Sequence, residues 1–185
     1  MYFNMFLCGG AMNIGLPLKA FSLGLVLGFC LFAGTAAQAA RVNDKAPNFN
    51  LKDLNGRRVT LNELKGSAVI LNFWSTACPP CLAEIPGLNA LYRDMRAKGL
   101  MVLGIAIDSS EKPVREQASR LKIEYPVLLD SEKNVYFDTF GLFGQPVSIL
   151  IDRSGIVRDK LIGQLDWNSA QIKGKVQKLL KGRQP

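Results

Sequence analysis

Two cysteines separated by two prolines, Cys78-Pro79-Pro80-Cys81, are the residues of this sequence best suited to covalent chemistry. An apolar run, Ala68–Trp74, precedes them and a helical pattern follows, which predicts a strand, a short turn and a helix that begins at the cysteines. Unpaired N–H groups and the positive end of the helix dipole favour a thiolate at a helix N-terminus. The stretch is therefore a candidate thiol site.

The N-terminus has the pattern of an export signal. Lys19 is the only charged residue before Arg41, and the apolar stretch that follows Lys19 ends in small residues at Ala37 and Ala39. We therefore predict cleavage after Ala39.

This pattern divides the chain into a signal peptide at residues 1–39, a linker at 40–47 and one folded domain at 48–182. The alternative is an uncleaved membrane anchor, because residues 20–39 are about long enough to span a bilayer. Both alternatives predict a domain in the periplasm or on the extracytoplasmic face of the inner membrane.

Export limits what the cysteines can do. Cys8 and Cys30 fall in the leader, so the mature domain keeps only Cys78 and Cys81. The sequence has no histidine, which excludes c-type haem attachment and Cys–His catalysis, and two thiols cannot complete a four-thiolate zinc site. We expect no metal and no cofactor. The role that remains for the two cysteines is a Cys78–Cys81 disulfide.

The predicted disulfide is better explained by redox chemistry than by stabilisation. Closing so short a loop stabilises a fold by about 2 kcal/mol in the chain-entropy treatment. A mature chain of about 145 residues does not need such a link. A cysteine pair that opens a helix after a strand is typical of redox-active sites.

The other patterns predict an α/β domain with a right-handed parallel βαβ unit. The second strand of that unit is expected at residues 100–107, after a helix that runs to about Lys98 and kinks at Pro86. The remaining expected elements are a hairpin at 48–61, a helical turn ending at Gly66, helices at 113–121 and 134–140, an extended piece at 125–129, a second hairpin at 145–163, and a last helix capped by Asp166.

The net charge of +8 comes from lysines and arginines scattered along the sequence. Scattered charge indicates ordinary solubility, and the alternative is an acidic partner or an anionic membrane surface. No basic and aromatic array is present, so we expect no nucleic-acid partner.

These motifs resemble thioredoxin. The resemblance rests on Phe73-Trp74 before the cysteines, the βαβ unit, Gly144-Gln145-Pro146 opening a strand, and the final hairpin and helix. The N-terminal hairpin and the segment 107–140 resemble the exported TlpA/ResA branch. The resemblance implies a thioredoxin fold, that is, a central mixed β-sheet flanked by helices, with an N-terminal β-hairpin extension.

The resemblance also implies roles for individual residues. Cys78 corresponds to the attacking thiol and Cys81 to the buried resolving thiol. Pro146 corresponds to a cis-proline that faces the disulfide and aligns the substrate backbone. The expected substrate-binding residues are Trp74, Pro79, Pro80, Gln145 and Pro146.

Glu84 corresponds to an acidic position that manages the proton of the buried thiol. Asn72 stands where cytoplasmic thioredoxins have a buried aspartate, so Glu84 is the remaining local proton acceptor. The alternative is that Glu84 is a solvated acid in the first helical turn, where the dipole favours it.

The spacer between the cysteines predicts whether the pair donates electrons to clients or accepts electrons from them. Pro80 has no N–H, which leaves the Cys81 N–H as the donor for a Cys78 thiolate, and no lysine or arginine lies between Lys65 and Arg93. A poorly stabilised thiolate favours a reductase. The resemblance implies clients such as apocytochromes c or copper-site proteins with oxidised cysteine pairs, and re-reduction by a membrane electron donor of the thiol-disulfide type.

Three alternatives remain open from the sequence. The first is a disulfide oxidase or isomerase, which differs from a reductase in its reduction potential. The second is a peroxiredoxin-type peroxidase, which would place a lone cysteine after Thr76, where two follow instead. The third is a non-catalytic copper-binding protein with two thiolate ligands.

Overall fold

The computed structural model describes residues 40–182, so the predicted signal peptide and its cleavage site lie outside the described residues. A mixed sheet of seven strands runs through this range in the order β2-β1-β5-β4-β3-β6-β7. The strands are β1 Asn50–Asp53, β2 Arg58–Thr60, β3 Ala68–Trp74, β4 Leu100–Ala106, β5 Val127–Leu129, β6 Val147–Ile151 and β7 Val157–Ile162. The α-helices of this range are α1 Pro79–Met95, α2 Glu111–Arg120 and α3 Ala170–Lys181.

The central strand β3 carries the cysteines at its carboxyl end. All seven of its residues are buried, as its apolar run predicts, because the sheet is covered on both faces. It pairs parallel with β4 and antiparallel with β6. The chain leaves β3 through a short loop, returns along α1 and continues into β4, which confirms the predicted βαβ unit.

The two faces of β3 pack into different parts of the core. Val69, Leu71 and Phe73 face one apolar cluster, which also holds Phe140. Ile70 faces a second cluster, to which α1 and α3 contribute their apolar sides. The side chain of Trp74 points to the same face as Ile70, beneath the cysteines.

The predicted N-terminal hairpin is confirmed and widens the sheet at one edge. β1 and β2 pair antiparallel, with Asn50 opposite Thr60, and the turn uses Gly56 at a φ of 78°. β1 then adds antiparallel to β5, with Lys52 opposite Leu129. The central mixed sheet with a hairpin extension is thus the predicted architecture.

The segment interpreted as a linker is packed against the sheet. The N–H of Asn43 donates to the carbonyl of Val157 at 2.7 Å, and the N–H of Val157 donates to the carbonyl of Asp44 at 2.9 Å. The N–H of Ala46 donates to the carbonyl of Gly155, and the side chain of Ala46 is buried. Residues 43–46 therefore extend the folded domain. Within residues 40–182, none of the helices has the length and apolar character that a membrane span requires.

Two helical segments differ from the sequence prediction. α2 begins at Glu111, two residues before Pro113, because proline is tolerated in a first helical turn. The expected helix at 134–140 is a π-helix over Val135–Thr139. The buried carboxylate of Asp130 accepts the N–H groups of Val135 and Tyr136 and holds the start of that segment.

The cap of the last helix is Ser169, which corrects the prediction of Asp166. The Ser169 hydroxyl oxygen accepts the N–H of Ile172 at 3.4 Å, as a helix cap does. Asp166 instead accepts the N–H of Asn168 and so closes the turn before the helix. The helix starts later than predicted because of this additional turn.

Candidate active site

The two cysteines form a disulfide at the start of α1. Cys78 retains 8% of its surface and Cys81 retains none. An incoming thiolate can therefore reach Cys78 and not Cys81. The pair lies on an apolar cluster that includes Trp74, Ile85 and Val127.

The helix N-terminus offers the Cys78 sulfur one backbone donor. Cys78 is the N-cap residue of α1, and its Sγ accepts the N–H of Cys81 at 3.3 Å. Pro79 and Pro80 fill the first two helical positions and have no N–H. The predicted single donor is confirmed.

The loop between β3 and α1 is held by neighbouring segments on both sides. The N–H and hydroxyl of Thr76 both donate to the carboxylate of Asp108, which follows β4. The hydroxyl of Ser75 donates to Oε1 of Gln145 at 2.9 Å. These contacts fix the backbone that leads into Cys78. Asp108 and Ser75 were not predicted, because each is an ordinary loop residue in the sequence.

The peptide bond between Gln145 and Pro146 is cis, as the resemblance implied. Pro146 is buried, and its carbonyl accepts the N–H of Gly163 at 2.8 Å, which ties the loop to the end of β7. The hydroxyl of Tyr136 donates to the carbonyl of Gly144 at 2.6 Å. The cis-proline loop is thus fixed on both sides, and the Ser75–Gln145 bond places it beside the cysteine loop.

Glu84 is buried behind the disulfide and not solvated. Its Oε1 accepts the Asn72 amide at 2.8 Å, and its Oε2 accepts the N–H of Leu165 at 2.9 Å. Burial raises the pKa of Glu84, while the hydrogen bonds from Leu165 and Asn72 oppose that rise. Glu84 lies three residues after Cys81, on the same side of α1. These contacts exclude the alternative of a solvated first-turn acid.

Asn72 positions the Glu84 carboxylate. Its amide nitrogen donates both to Glu84 and to the hydroxyl oxygen of Ser148 at 3.0 Å, while its Oδ1 has no hydrogen-bond partner among residues 40–182. Tyr125 completes the surroundings, since burial and the negative charge of Glu84 both raise the pKa of its hydroxyl. Sequence reasoning missed Ser148, Tyr125 and the Leu165 N–H, because they come from distant segments of the chain.

The structure corrects the prediction that Trp74 binds substrate. Trp74 has no exposed surface, so it supports the disulfide from below and cannot contact a client there. Pro79 is exposed, and Pro80 and Gln145 are half-buried. Of the predicted substrate-binding residues, these three offer surface next to Cys78.

Apolar side chains are exposed around the cis-proline loop. Phe143 is 79% exposed, and its ring centroid lies 6.0 Å from that of Phe137. Ile162 is 68% exposed and pairs with Val147, the residue after Pro146. Exposed apolar patches mark interaction surfaces. This surface adjoins the cis-proline loop, which Gln145 connects to the cysteine loop through Ser75.

Comparisons with known proteins agree with this geometry. The profile of the AhpC/TSA family matches residues 42–160. A thiol-disulfide oxidoreductase ResA from Bacillus cereus is 34% identical over 155 residues, covering 83% of this chain and 88% of the relative. A ResA from Halalkalibacterium halodurans is 33% identical over 135 residues, covering 72% of this chain and 76% of the relative.

Solved structures lead to the same assignment. The crystal structure of a putative thiol:disulfide interchange protein DsbE from Chlorobium tepidum superposes with a TM-score of 0.69 at 28% identity, covering 77% of this chain and 99% of that one. A solution structure of a putative thioredoxin from Neisseria meningitidis gives 0.67 at 28% identity, covering 76% and 93%. The chain therefore has the thioredoxin fold and belongs to the AhpC/TSA family, within which it is a ResA-like thiol-disulfide oxidoreductase.

Proposed function

We propose that this protein is an exported reductase that transfers electrons from the Cys78–Cys81 dithiol to disulfides in client proteins. The observation that carries the proposal is the Cys78 sulfur, which has one N–H donor and an apolar surrounding. Its relatives are named thiol-disulfide oxidoreductases, a name that includes both directions of electron flow. The electrostatics of the thiol support the reducing direction.

A strong oxidant needs a strongly stabilised thiolate. Lowering a thiol pKa from ~8.5 to ~7 takes about 2 kcal/mol, which a helix terminus nearly supplies. Lowering it to ~3.5 takes about 7 kcal/mol. The charged group that contacts the cysteine loop in the described residues is the Asp108 carboxylate, which disfavours a thiolate. A weakly stabilised thiolate leaves the disulfide relatively stable, so the dithiol donates electrons.

The reaction is a two-step thiol-disulfide exchange. The Cys78 thiolate attacks one sulfur of a client disulfide, which releases the other client sulfur as a thiolate and forms a mixed disulfide. The Cys81 thiolate then attacks Cys78, which releases the second client sulfur. The client gains two electrons and two protons, and the protein ends with the Cys78–Cys81 disulfide.

Glu84 accepts the proton of the Cys81 thiol in the second step. The carboxylate lies one helical turn from Cys81 and is shielded from water. Its raised pKa brings it closer to that of a thiol, which makes proton transfer between the two groups less costly. Asn72 is a positioning residue in this step, because it holds one carboxylate oxygen.

The clients are proteins with oxidised cysteine pairs, such as apocytochromes c or copper-site proteins. The exposed Phe143 and Ile162 beside the cis-proline support a macromolecular client, since a small disulfide would not need them. Gln145 and the two spacer prolines align the client backbone, on a surface whose shape the buried Pro146 sets. A membrane electron donor of the thiol-disulfide type restores the dithiol, and the reaction takes place in the periplasm or at the extracytoplasmic face of the inner membrane.

The reduction potential tests the direction of electron flow. We expect equilibration of the protein with glutathione or dithiothreitol buffers to give a potential near that of thioredoxin, about −270 mV. A value near −120 mV, typical of strong oxidants, would contradict the reductase and support the oxidase alternative.

Trapping tests the exchange with protein clients. The Cys81→Ser variant should accumulate mixed disulfides through Cys78, because the resolving thiol is absent. The Cys78→Ser variant is the matched control and should trap none. If mass spectrometry finds the same adducts with both variants, or no cysteine protein with either, the proposed exchange is wrong.

A further inference from the structure

We propose that the end of the domain opposite the disulfide docks onto an anionic phospholipid surface. Six exposed basic residues define this end, which we call the basic pole: Lys65, Arg96, Lys98, Arg153, Lys178 and Lys181. They look scattered in the sequence, where they indicate ordinary solubility. The fold brings them to one end of the sheet. The inference concerns a different surface from the proposed reductase site and does not depend on it.

Arg153 shows how the pole is assembled. Its Nη2 donates to the carbonyl of Lys98 at 2.7 Å, and its carbonyl accepts the N–H of Gly66 at 3.1 Å. A Cβ placed on Gly182 would lie 3.6 Å from the Arg153 Cβ, so the C-terminal end of α3 also reaches this position. Lys65, Lys98 and Lys181 each lie next to one of these contacts in the chain. Four separate segments thus converge on one surface.

The basic pole carries a net positive charge that is free to act on a partner. None of its six residues takes part in an ion pair within residues 40–182, whereas Arg57, Arg93, Arg115 and Arg158 all do. Three exposed carboxylates, Glu63, Asp94 and Glu124, belong to segments at this end, and Arg93 pairs with Glu124. They reduce the positive charge of the six residues without cancelling it. The pole therefore suits an extended anionic surface.

The opposite end of the sheet has the opposite charge pattern. Exposed or half-buried carboxylates follow the carboxyl ends of β4, β5 and β7, at Asp108, Glu132, Asp138 and Asp166. α1 spans 17 residues between the two ends, which separates the disulfide from the basic pole by about 25 Å. Lys112 and Lys133 lie at the same end and offset part of its negative charge. An anionic surface therefore attracts the basic pole more strongly than the disulfide end. Docking therefore orients the disulfide away from the lipid.

The path of the chain favours lipid over other polyanions. Residues 43–46 lie against Gly155–Val157, directly after the turn that holds Arg153. The sequence before them, residues 20–39, is continuously apolar or small apart from Ser22, Thr35 and Gln38. In the uncleaved alternative, this apolar sequence anchors the described domain in a bilayer. A lipid surface is then the extended anionic partner next to the domain.

Site-resolved lysine labelling tests the proposal on the full chain. The protein is reconstituted in vesicles of phosphatidylcholine, or of phosphatidylcholine with about one third phosphatidylglycerol, and treated with an amine-reactive reagent before mass spectrometry. Each basic side chain near an anionic surface strengthens binding about fivefold. We expect labelling of Lys65, Lys98 and Lys181 to slow at least about fivefold in the anionic vesicles, and labelling of Lys112, beside the disulfide end, to stay unchanged. Protection should disappear at about 0.5 M salt.

A charge-neutralised variant identifies the residues responsible. In the combined variant Lys65→Gln, Lys98→Gln and Lys181→Gln, the remaining Lys178 reports on docking and should lose its protection. The control Lys52→Gln, Lys112→Gln and Lys133→Gln removes the same charge elsewhere and should keep Lys178 protected. Both variants should reduce a small disulfide at the wild-type rate, which shows that they are folded.

Three outcomes would overturn the inference. Equal labelling of Lys65, Lys98 and Lys181 in the two vesicle types means that the pole does not dock. Protection of Lys112 to the same extent means that the domain is not oriented. Protection by added heparin or duplex DNA, with none by anionic vesicles, means that the pole binds soluble polyanions instead.

Discussion

The amide of Asn72 donates a 2.8 Å hydrogen bond to Oε1 of Glu84 inside the protein core. Asn72 stands on the central strand and Glu84 on the helix that begins at the disulfide. Asn72 thus does more than occupy the position of the buried aspartate of cytoplasmic thioredoxins. It is a neutral donor that can hold a carboxylate without adding a second charge, and it allows the acid to be supplied from α1.

Changing Asn72 to aspartate should destabilise the protein in a pH-dependent way. The new carboxylate would face Glu84 at hydrogen-bond distance, and two such groups cannot both ionise. We expect Asn72→Asp to lower the free energy of unfolding by about 3 kcal/mol at neutral pH. The loss should shrink as the pH falls through the raised pKa values of the pair, because a shared proton removes the repulsion. Urea denaturation at several pH values measures this.

Asn72→Ala is the matched control. It removes the hydrogen bonds to Glu84 and Ser148 without adding charge, so its loss of stability should depend much less on pH. Parallel pH profiles for the two variants would contradict the electrostatic explanation.

Glu84→Gln should separate the proton-transfer role from packing. Burial raises the pKa of Glu84, so the folded state binds its proton more tightly than the unfolded state does. The wild-type free energy of unfolding therefore falls as the pH rises from the ordinary value of 4.5 through the raised value, and levels off above it. The glutamine variant lacks this fall, and thermal unfolding across the range measures the difference.

The same variant should slow client reduction at least about tenfold at neutral pH, since a general base is lost. The rate should recover toward the wild-type value in alkaline solution, where Cys81 loses its proton to the solvent. A variant that is slower by the same factor at every pH would indicate a packing defect instead.

Phe143→Ser should affect protein clients selectively. Phe143 is largely exposed beside the cis-proline loop, and covering a phenylalanine stabilises a complex by about 1.5 kcal/mol or more. We expect kcat/KM for a protein disulfide to fall about tenfold and the rate with a small-molecule disulfide to stay unchanged. Val42→Ser is the control, because Val42 is 47% exposed and comes from the N-terminal segment. Equal effects of the two substitutions would remove Phe143 from the client surface.

Gly104→Ala should destabilise the core behind the disulfide. A Cβ at Gly104 would lie 2.9 Å from the Tyr125 ring and 3.2 Å from Nε1 of Trp74. Relieving that overlap should cost about 1–3 kcal/mol of unfolding free energy and displace Trp74 beneath the cysteines. Chemical denaturation together with the rate of disulfide exchange measures both effects.

Gly87→Ala is the comparison for this substitution. A Cβ there would meet the Trp167 Cβ at 3.4 Å, an ordinary contact, and alanine is favoured over glycine inside a helix by about 1 kcal/mol. This variant should be as stable as the wild type or more so. If it is destabilised as much as Gly104→Ala, crowding is not the cause.

The sequence is sufficient to predict the parts of the site that are local in the chain. The apolar run before the cysteines, the prolines between them and the helical spacing after them predict a disulfide on a helix N-cap, since each signal lies within a few residues. The cis-proline is identifiable from its motif. The central strands follow from their apolar runs because burial on both faces leaves no polar alternation.

The remaining features depend on contacts between distant segments. The sequence is equally compatible with Glu84 as a solvated acid. In the folded structure, Leu165, which lies 81 residues away in the chain, donates its N–H to the buried carboxylate. The sequence motif predicts an exposed Trp74 that contacts substrate, whereas the sheet buries its side chain beneath the disulfide. The basic pole cannot be recognised in the sequence, because its charges come from four separate segments. Only the folded structure brings these loop and helix ends together.

The attachment of residues 43–46 to β7 also protects the outer border of the sheet. β7 is a terminal strand, and an uncovered terminal strand offers its N–H and C=O groups to strands of other molecules. Asn43 and Asp44 occupy the backbone groups of Val157, and Lys160 places a positive charge farther along the strand. Removal of the leader after Ala39 would keep this cover in place. Trimming beyond residue 46 would uncover the start of β7 and make the domain prone to self-association.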